Sequence, residues 1–576
     1  MLLQALIGGR GLLFVFPGLC LLAAAALVGL ATAARSRAQA DSRCLYSAGI
    51  FLGYLLLRAI CSPGYFARPD LFSIVGVMVV YGTTVTLLTS SRARLGIVGA
   101  LLAFAVIHVL IGIVQFTRGD NFMPISWLQR VDYGQRASGF YVCPNHLAGL
   151  LEVVGIFGLS LTCWSRWPLW AKLLAGYATG ACYAGLALTG SRGGYISAVA
   201  SLIVFALSSL VVIRRARAES WTKLAVIGAI ALFGVLGTVA LVVGQSGYLR
   251  ERAENIIDRK NVRFELWRAA VQQWKLQPVF GTGSGSYRFY GRQFRAHEVQ
   301  NDPVDVHNDY LHLLCEYGIL GGAAFVLFFA AHARQASSAL KHFSARSTAG
   351  GGSLLSNHVA LQLGAMGAIA AYVVHSALDF NLHIPANAML LAFVFGIVAN
   401  PGATRPRGAE EPALPNRTKN ATASLAVTLL ILCFRYLPAE YYTERARAAL
   451  RDEAPDLSIA FAEKALTHDR RNPQLYFYIG RAFLALAHQS GAPEERLPWF
   501  ARALEAFTNA HRLAPLDGSY PLNLAFTYDE LGRFEEAEHM YELARKRDPR
   551  SLTVKQLYQA HLEAQDKIGA AKVESL

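Results

Sequence analysis

The feature that most constrains this chain is the repetition of apolar stretches long enough to cross a bilayer. Helix of about 20 residues spans roughly 30 Å of hydrocarbon. Such stretches recur near 11–34, 45–61, 71–89, 95–117, 147–163, 169–189, 195–213, 223–244, 318–333, 358–378, 384–399 and 422–437. The expected fold is therefore all-α: a polytopic membrane helix bundle of about 12 transmembrane helices. Composition agrees, with 54% hydrophobic and only 16% charged residues, against about 25% charged in soluble domains. That balance excludes a disordered polyelectrolyte, which needs low hydrophobicity and dense charge. The first run lacks a basic start before a short apolar core, so it does not read as a cleaved signal peptide.

Lys and Arg number 54 against 39 Asp and Glu, a net charge of +15. Much of that excess crowds into alternate short loops, at Arg35, Arg37 and Arg43, at Arg92 and Arg94, at Arg214, Arg215 and Arg217, and at Arg405, Arg407 and Arg417. Short loops rich in Lys and Arg stay cytoplasmic, so no nucleic-acid partner is needed to explain the charge. The intervening short loops carry few, among them Arg68, Arg118, Arg130, Arg136 and Arg192. This frame puts 118–146, 190–194, the long 245–317 segment, 379–383, the N-terminus and everything after about 438 outside the cytoplasm.

From about 438 the chain turns charged and helical. Leu524, Tyr528, Gly532, Ala537, Tyr541, Ala544 and Pro549 follow tetratricopeptide spacing, in which small residues let paired helices pack. Gly480, Phe483, Ala503, Phe507, Ala510 and Pro515 form an upstream copy, and 455–473 resembles the second helix of a degenerate one. Two domains are expected: 1–437 in the membrane, and 438–576 as a repeat domain offering a surface to a protein partner. The eight cysteines form no CxxC pair and read as small buried hydrophobes. A Cys143–Cys315 disulfide is conceivable outside the cytoplasm but is not favoured.

Four polar clusters interrupt the apolar chain, and the charge rule puts all of them on one face. The first runs from Arg136 to Asn145-His146, just before a span. Pro144 and Asn145 can open and cap the next helix, or Arg136 and the amide can line a cavity. The second, Thr189-Gly190-Ser191-Arg192-Gly193-Gly194, is wedged between two spans. An Arg beside glycine amides suits a phosphate or diphosphate through forked, charge-assisted hydrogen bonds, although an interfacial Arg can simply snorkel. The third holds Arg263 and Trp267, then Gly281, Gly283 and Gly285, then His307-Asn308-Asp309-Tyr310-Leu311-His312 and Glu316. Its glycines lack the Gly-Lys-Ser/Thr ending of a P-loop and read as a tight bend. His307 and His312 are five residues apart rather than four, so a zinc pair is not expected. A neutral imidazole acting as general base fits better. The fourth cluster runs from His375 through Asp379, Asn381 and His383 to Asn387. It is either a hairpin cap or the source of a carboxylate that orients His307 or an Arg.

In this order the clusters resemble the O-antigen ligase/polymerase superfamily of bacterial inner-membrane glycosyltransferases, over roughly residues 95–400. The most specific match is His307-Asn308 followed by nine residues and Gly318; Thr189-Gly-Ser-Arg192-Gly matches the family's Arg-bearing turn. The resemblance implies transfer of a glycan from undecaprenyl diphosphate to an acceptor hydroxyl in the periplasm, with no metal and no cofactor. It implies catalytic roles for His307, Arg192 and Arg263. The remaining candidate binding residues are Arg136, Asn145, Ser191, Asn308, Glu316, Asp379 and Asn381, with Asn308 or Glu316 orienting His307. The acceptor is a lipid A core, another glycan or a protein, and membrane lipid surrounds the whole. A polymerase of lipid-linked repeat units is the nearest alternative. A non-catalytic scaffold presenting the repeats is the alternative from another class, and a transporter is disfavoured because few acidic residues lie within the spans.

Overall fold

The structure is a computed structural model describing residues 1–9, 11–32, 40–62, 64–125, 130, 132–215, 233–234, 237, 240–241, 243–254, 262–349, 355–402 and 414–574. Every regular element among the described residues is a helix, and none is a strand. The membrane part comprises α1 (Leu12–Thr32), α2 (Ser42–Cys61), α3 (Arg68–Thr86), α4 (Ser91–Arg118), α5 (Pro144–Trp164), α6 (Leu169–Leu188) and α7 (Arg192–Arg215). After the long loop it continues with α8 (Arg263–Leu276), α9 (Tyr287–Phe294), α10 (Asp309–Ala349), α11 (Asn357–His375), α12 (Pro385–Ala399) and α13 (Leu414–Arg451). Among the described residues nine helices are long and apolar enough to cross a membrane. With α6 and the shorter apolar α12 they account for every expected stretch except 223–244, which lies largely outside the described residues.

Helix α5 is the hub. Its most apolar window is 89% buried inside the protein, as expected of a helix apolar on all sides, and it packs against α4, α6, α7 and α11. Pro144 opens it at a position whose N–H would have no intrahelical partner. At its far end the Trp164 carbonyl accepts from Ser356 N at 2.8 Å, just before α11. The Ala399 carbonyl at the end of α12 accepts from Asp41 N at 2.8 Å, just before α2. These contacts define one face of the bundle; the polar clusters gather on the other.

Helix α10 is broken at Gly318, which has φ 68° and ψ −171°. A side chain is excluded there on two counts. The backbone is left-handed, and a Cβ would lie 2.3 Å from the Val279 carbonyl oxygen. The break lets residues 278–283 run along the helix, with Ile319 N donating to Pro278 O at 2.9 Å and Thr282 N to Cys315 O at 3.0 Å. Gly318 and the glycine-rich bend are thus parts of one joint. Cys143 and Cys315 are both free thiols.

Helix α13 runs unbroken through Pro438, across the position where the sequence changes character. Beyond it come α14 (Pro455–His468), α15 (Pro473–Gln489), α16 (Pro493–Leu513), α17 (Ser519–Glu530), α18 (Phe534–Arg547) and α19 (Leu552–Glu574). They pack chiefly as the pairs α13–α14, α15–α16 and α17–α18, with Ala462, Ala465, Ala503 and Phe507 fully buried between them. This tail is fastened to the long loop. Arg295 grips Asp548 with two hydrogen bonds of 2.8 Å, and Arg292 reaches Asp517 at 2.6 Å. Phe66, Phe289 and Tyr520 add an apolar seam.

Candidate active site

Asp379 is the centre of the polar face. It lies in the turn between α11 and α12, only 1% exposed, and its carboxylate is reached from three other segments. His307 Nδ1 lies 3.1 Å from Oδ1. Arg263, the first residue of α8, donates Nη2 to Oδ2 at 3.0 Å, and Asn145 of α5 donates Nδ2 to the same oxygen at 2.5 Å. Burial pushes the Asp379 carboxyl up, but the Arg263 guanidinium and the His307 hydrogen bond outweigh it and hold the group well below the usual carboxylate range. An ionised carboxylate only accepts, so Nδ1 of His307 is the donor in this contact and Nε2 is the ring nitrogen that does not face Asp379. The His307 side chain is 31% exposed, which leaves the ring open to an incoming group.

Further hydrogen bonds tie this centre to the other clusters. Arg136 donates Nη2 to Asn145 Oδ1 at 2.7 Å and Nε to the Thr189 carbonyl at 2.8 Å, which joins the first cluster to the Arg192 turn. Gly193 packs directly on the end of α11, where a Cβ would lie 3.2 Å from His375 Cδ2 and 3.4 Å from Leu378 Cβ. Half-buried Arg192 therefore opens α7 beside the Asp379 turn. Asn145 does not cap α5 with its side chain; that amide is spent on Asp379 and Arg136.

Not every candidate faces this centre. Ser191 is buried and its hydroxyl accepts from Gly194 N at 3.2 Å, capping α7. Asn308 Oδ1 accepts from Tyr310 N and Leu311 N, both at 3.0 Å, to cap α10, while its Nδ2 donates to Ala377 O at 3.0 Å. Glu316, expected beside His307, is taken up elsewhere. It accepts from Gly285 N at 3.0 Å and Tyr287 N at 2.9 Å and approaches His312 at 3.3 Å. The α9 start and the glycine joint claim it first, so Asp379 is the carboxylate that meets His307. Asn381 is fully buried behind the site and accepts from Asn387 Nδ2 at 3.3 Å.

Three features escape a reading of the sequence. His307 itself has φ 55°, a left-handed conformation costing about 1–3 kcal/mol for a residue other than glycine. Phe380 stands edge-on to its ring, with centroids 4.6 Å apart. Glu152 and His375 form a fully buried pair at 3.0 Å within the bundle, joined by the Ser197 hydroxyl. Glu152 is the only charged residue between His146 and Trp164, and a lone acid inside a span is the signal that marks it.

Comparison with known proteins adds the following. A family model described as O-antigen ligase matches residues 177–326. None of the curated proteins matches the chain. Among solved structures, a thermophilic TPR protein of Thermus thermophilus is similar over 26% of this chain and 94% of its own, at 19% identity and a TM-score of 0.17. Arg192, Arg263, His307, Asn308 and Gly318 all fall within the family match, whereas Asp379 and Asn145 lie outside it. Over residues 177–326, then, this polytopic membrane protein is similar to the O-antigen ligase family.

Proposed function

We propose that the protein transfers a glycan from undecaprenyl diphosphate to an acceptor hydroxyl at the periplasmic face of the bacterial inner membrane. The observation that carries this reading is the meeting of His307 and Arg263 on Asp379, with the Arg192 turn packed beside it. Nε2 of His307 takes the proton of the acceptor hydroxyl as its oxygen attacks the anomeric carbon. The bond from that carbon to the diphosphate breaks, and the electron pair leaves with the lipid diphosphate. Arg192 and Arg263, with Arg136 behind them, stabilise the growing negative charge. Asp379 keeps the Nδ1 proton in place and favours the imidazolium that forms, which is the orienting role of a carboxylate beside a catalytic histidine. General-base help of this kind contributes about 10²–10⁴-fold.

The tail is proposed to be a periplasmic repeat domain. Its attachment to the loop through Arg295–Asp548 and Arg292–Asp517 supports placement on the side that carries His307. A reporter fused after Leu576 is expected to be active only in the periplasm, and a cytoplasmic signal would overturn the orientation. The direct test of function is transfer in membranes supplied with lipid-linked glycan. His307→Ala and Arg192→Ala should each lower transfer by about 10²-fold or more at wild-type protein levels; normal glycan assembly by both would refute the assignment. Ladders of lipid-linked polymer would identify a polymerase, and loss of capped lipopolysaccharide in a deletion strain a ligase.

A further inference from the structure

His307 needs an external hold, because its own backbone conformation is unfavourable and its ring must still meet Asp379. The residues that follow it supply anchors. Asp309 N donates to Ser376 O at 2.7 Å, and Asn308 Nδ2 donates to Ala377 O. The Asp309 side chain then crosses to the far end of the same turn, accepting from Leu382 N at 3.3 Å through Oδ2 and contacting His383 Nδ1 at 3.0 Å through Oδ1. The 307–309 segment is thus stitched to the 376–383 turn at both ends, with His307–Asp379 between the stitches.

His383 is well placed to hold its end. Its ring stacks on His312, centroids 3.9 Å apart and planes 16° from parallel, and His312 is in turn fixed against Glu316 at the glycine joint. Burial pushes the His383 imidazole down, but the hydrogen bond to Asp309 and the charges of Asp309, Asp70 and Asp305 outweigh it and raise the group to about 10. It therefore meets Asp309 as a cation at neutral pH.

We propose that Asp309 and His383 are positioning residues, a second carboxylate–histidine pair that clamps His307 in its left-handed conformation so that its ring meets Asp379. The inference rests on His307 being the base. A misplacement of about 1 Å can cost on the order of 10²-fold in rate, so the clamp acts on turnover and not on donor capture.

The test uses the full-length protein in membranes with lipid-linked donor, and rates are taken per folded molecule. His383→Ala should lower kcat by up to about 10²-fold with donor KM unchanged. His383→Gln keeps an N–H for Asp309 and should recover most of the loss. His307→Asn, whose side chain tolerates a left-handed backbone, serves as the reference without a base. Wild-type kcat in His383→Ala beside an inactive His307→Asn overturns the clamp and leaves the base in place. Full activity in His307→Asn overturns the base reading itself. A raised donor KM with kcat retained makes His383 a donor ligand and also overturns the clamp. If His383→Ala does not accumulate, Asp309→Asn is judged by the same kcat and KM criteria.

Discussion

Two of the histidine–carboxylate pairs in this protein lie close together and differ in their access to water. His307 meets Asp379 at 3.1 Å with its side chain 31% exposed, whereas His375 meets Glu152 at 3.0 Å with both side chains fully enclosed. His375 and Asp379, one member of each pair, are four residues apart along the chain, and the His375 carbonyl at the end of α11 accepts from Asp379 N at 2.9 Å. The same functional groups at the same separation can therefore do different work. A ring open on one edge can exchange a proton with an incoming hydroxyl. A ring sealed among α5, α7 and α11 lacks that access and instead ties helices together, since removing one partner of a buried hydrogen-bonded pair leaves the other unsatisfied.

That contrast can be broken experimentally, and the largest effect belongs to the open pair. His307→Asn should reduce transfer by about 10²–10⁴-fold without loss of protein from the membrane. Arg192→Ala should follow, with kcat lowered by about 10²–10³-fold, the cost of losing one preorganised donor to a developing anion. Equal activity to wild type in either variant would erase the distinction between the pairs. For the sealed pair the expectation is reversed. Glu152→Ala should cost about 3–5 kcal/mol by leaving His375 without its carboxylate, seen as a lower thermal midpoint and less protein in the membrane. Turnover per folded molecule should survive; its disappearance in well-folded Glu152→Ala would move the sealed pair into the chemistry.

The smallest expected effect concerns pH. His383 has a folded pKa raised to about 10, above the ordinary value of roughly 6.5. Its contribution to stability is complete below the ordinary value and is lost as pH rises through the raised one. The thermal midpoint in detergent should therefore fall between pH 7 and about 10, and the fall should be shallower in His383→Gln. Parallel curves for the two proteins would show that Asp309 and His383 are not coupled in this way. Asp379 behaves in the opposite sense. Its depressed pKa keeps the carboxylate ionised at neutral pH, and the stability it confers is lost only as pH falls through that depressed value.

Much of the fold can be read from the sequence, because hydropathy acts over contiguous residues. The apolar stretches, the glycine bend and the charged tail are all local signals. The centre of the site is not local. Asp379 is separated in sequence by 72 residues from His307, 116 from Arg263 and 234 from Asn145, and no spacing rule connects them. The fourth polar cluster could be found, yet which carboxylate serves His307 depends on how α10 breaks at Gly318. That break sends Glu316 to Gly285 and Tyr287. Glu152 is hidden for a different reason: one acid in a long apolar run barely alters its hydropathy. The transition at 438 is legible as composition, while the continuous α13 through Pro438 is not, because its ends are fixed by packing on α1 and α14.

The central claim is that His307, set by Asp379, is the base on a face where Arg192 and Arg263 receive the diphosphate. Single-turnover transfer with purified lipid-linked glycan, comparing wild type with His307→Asn at saturating donor and acceptor, tests it most directly. Donor binding should be preserved and the transfer step slowed by about 10²-fold or more. A transfer step of wild-type speed in His307→Asn would contradict that claim.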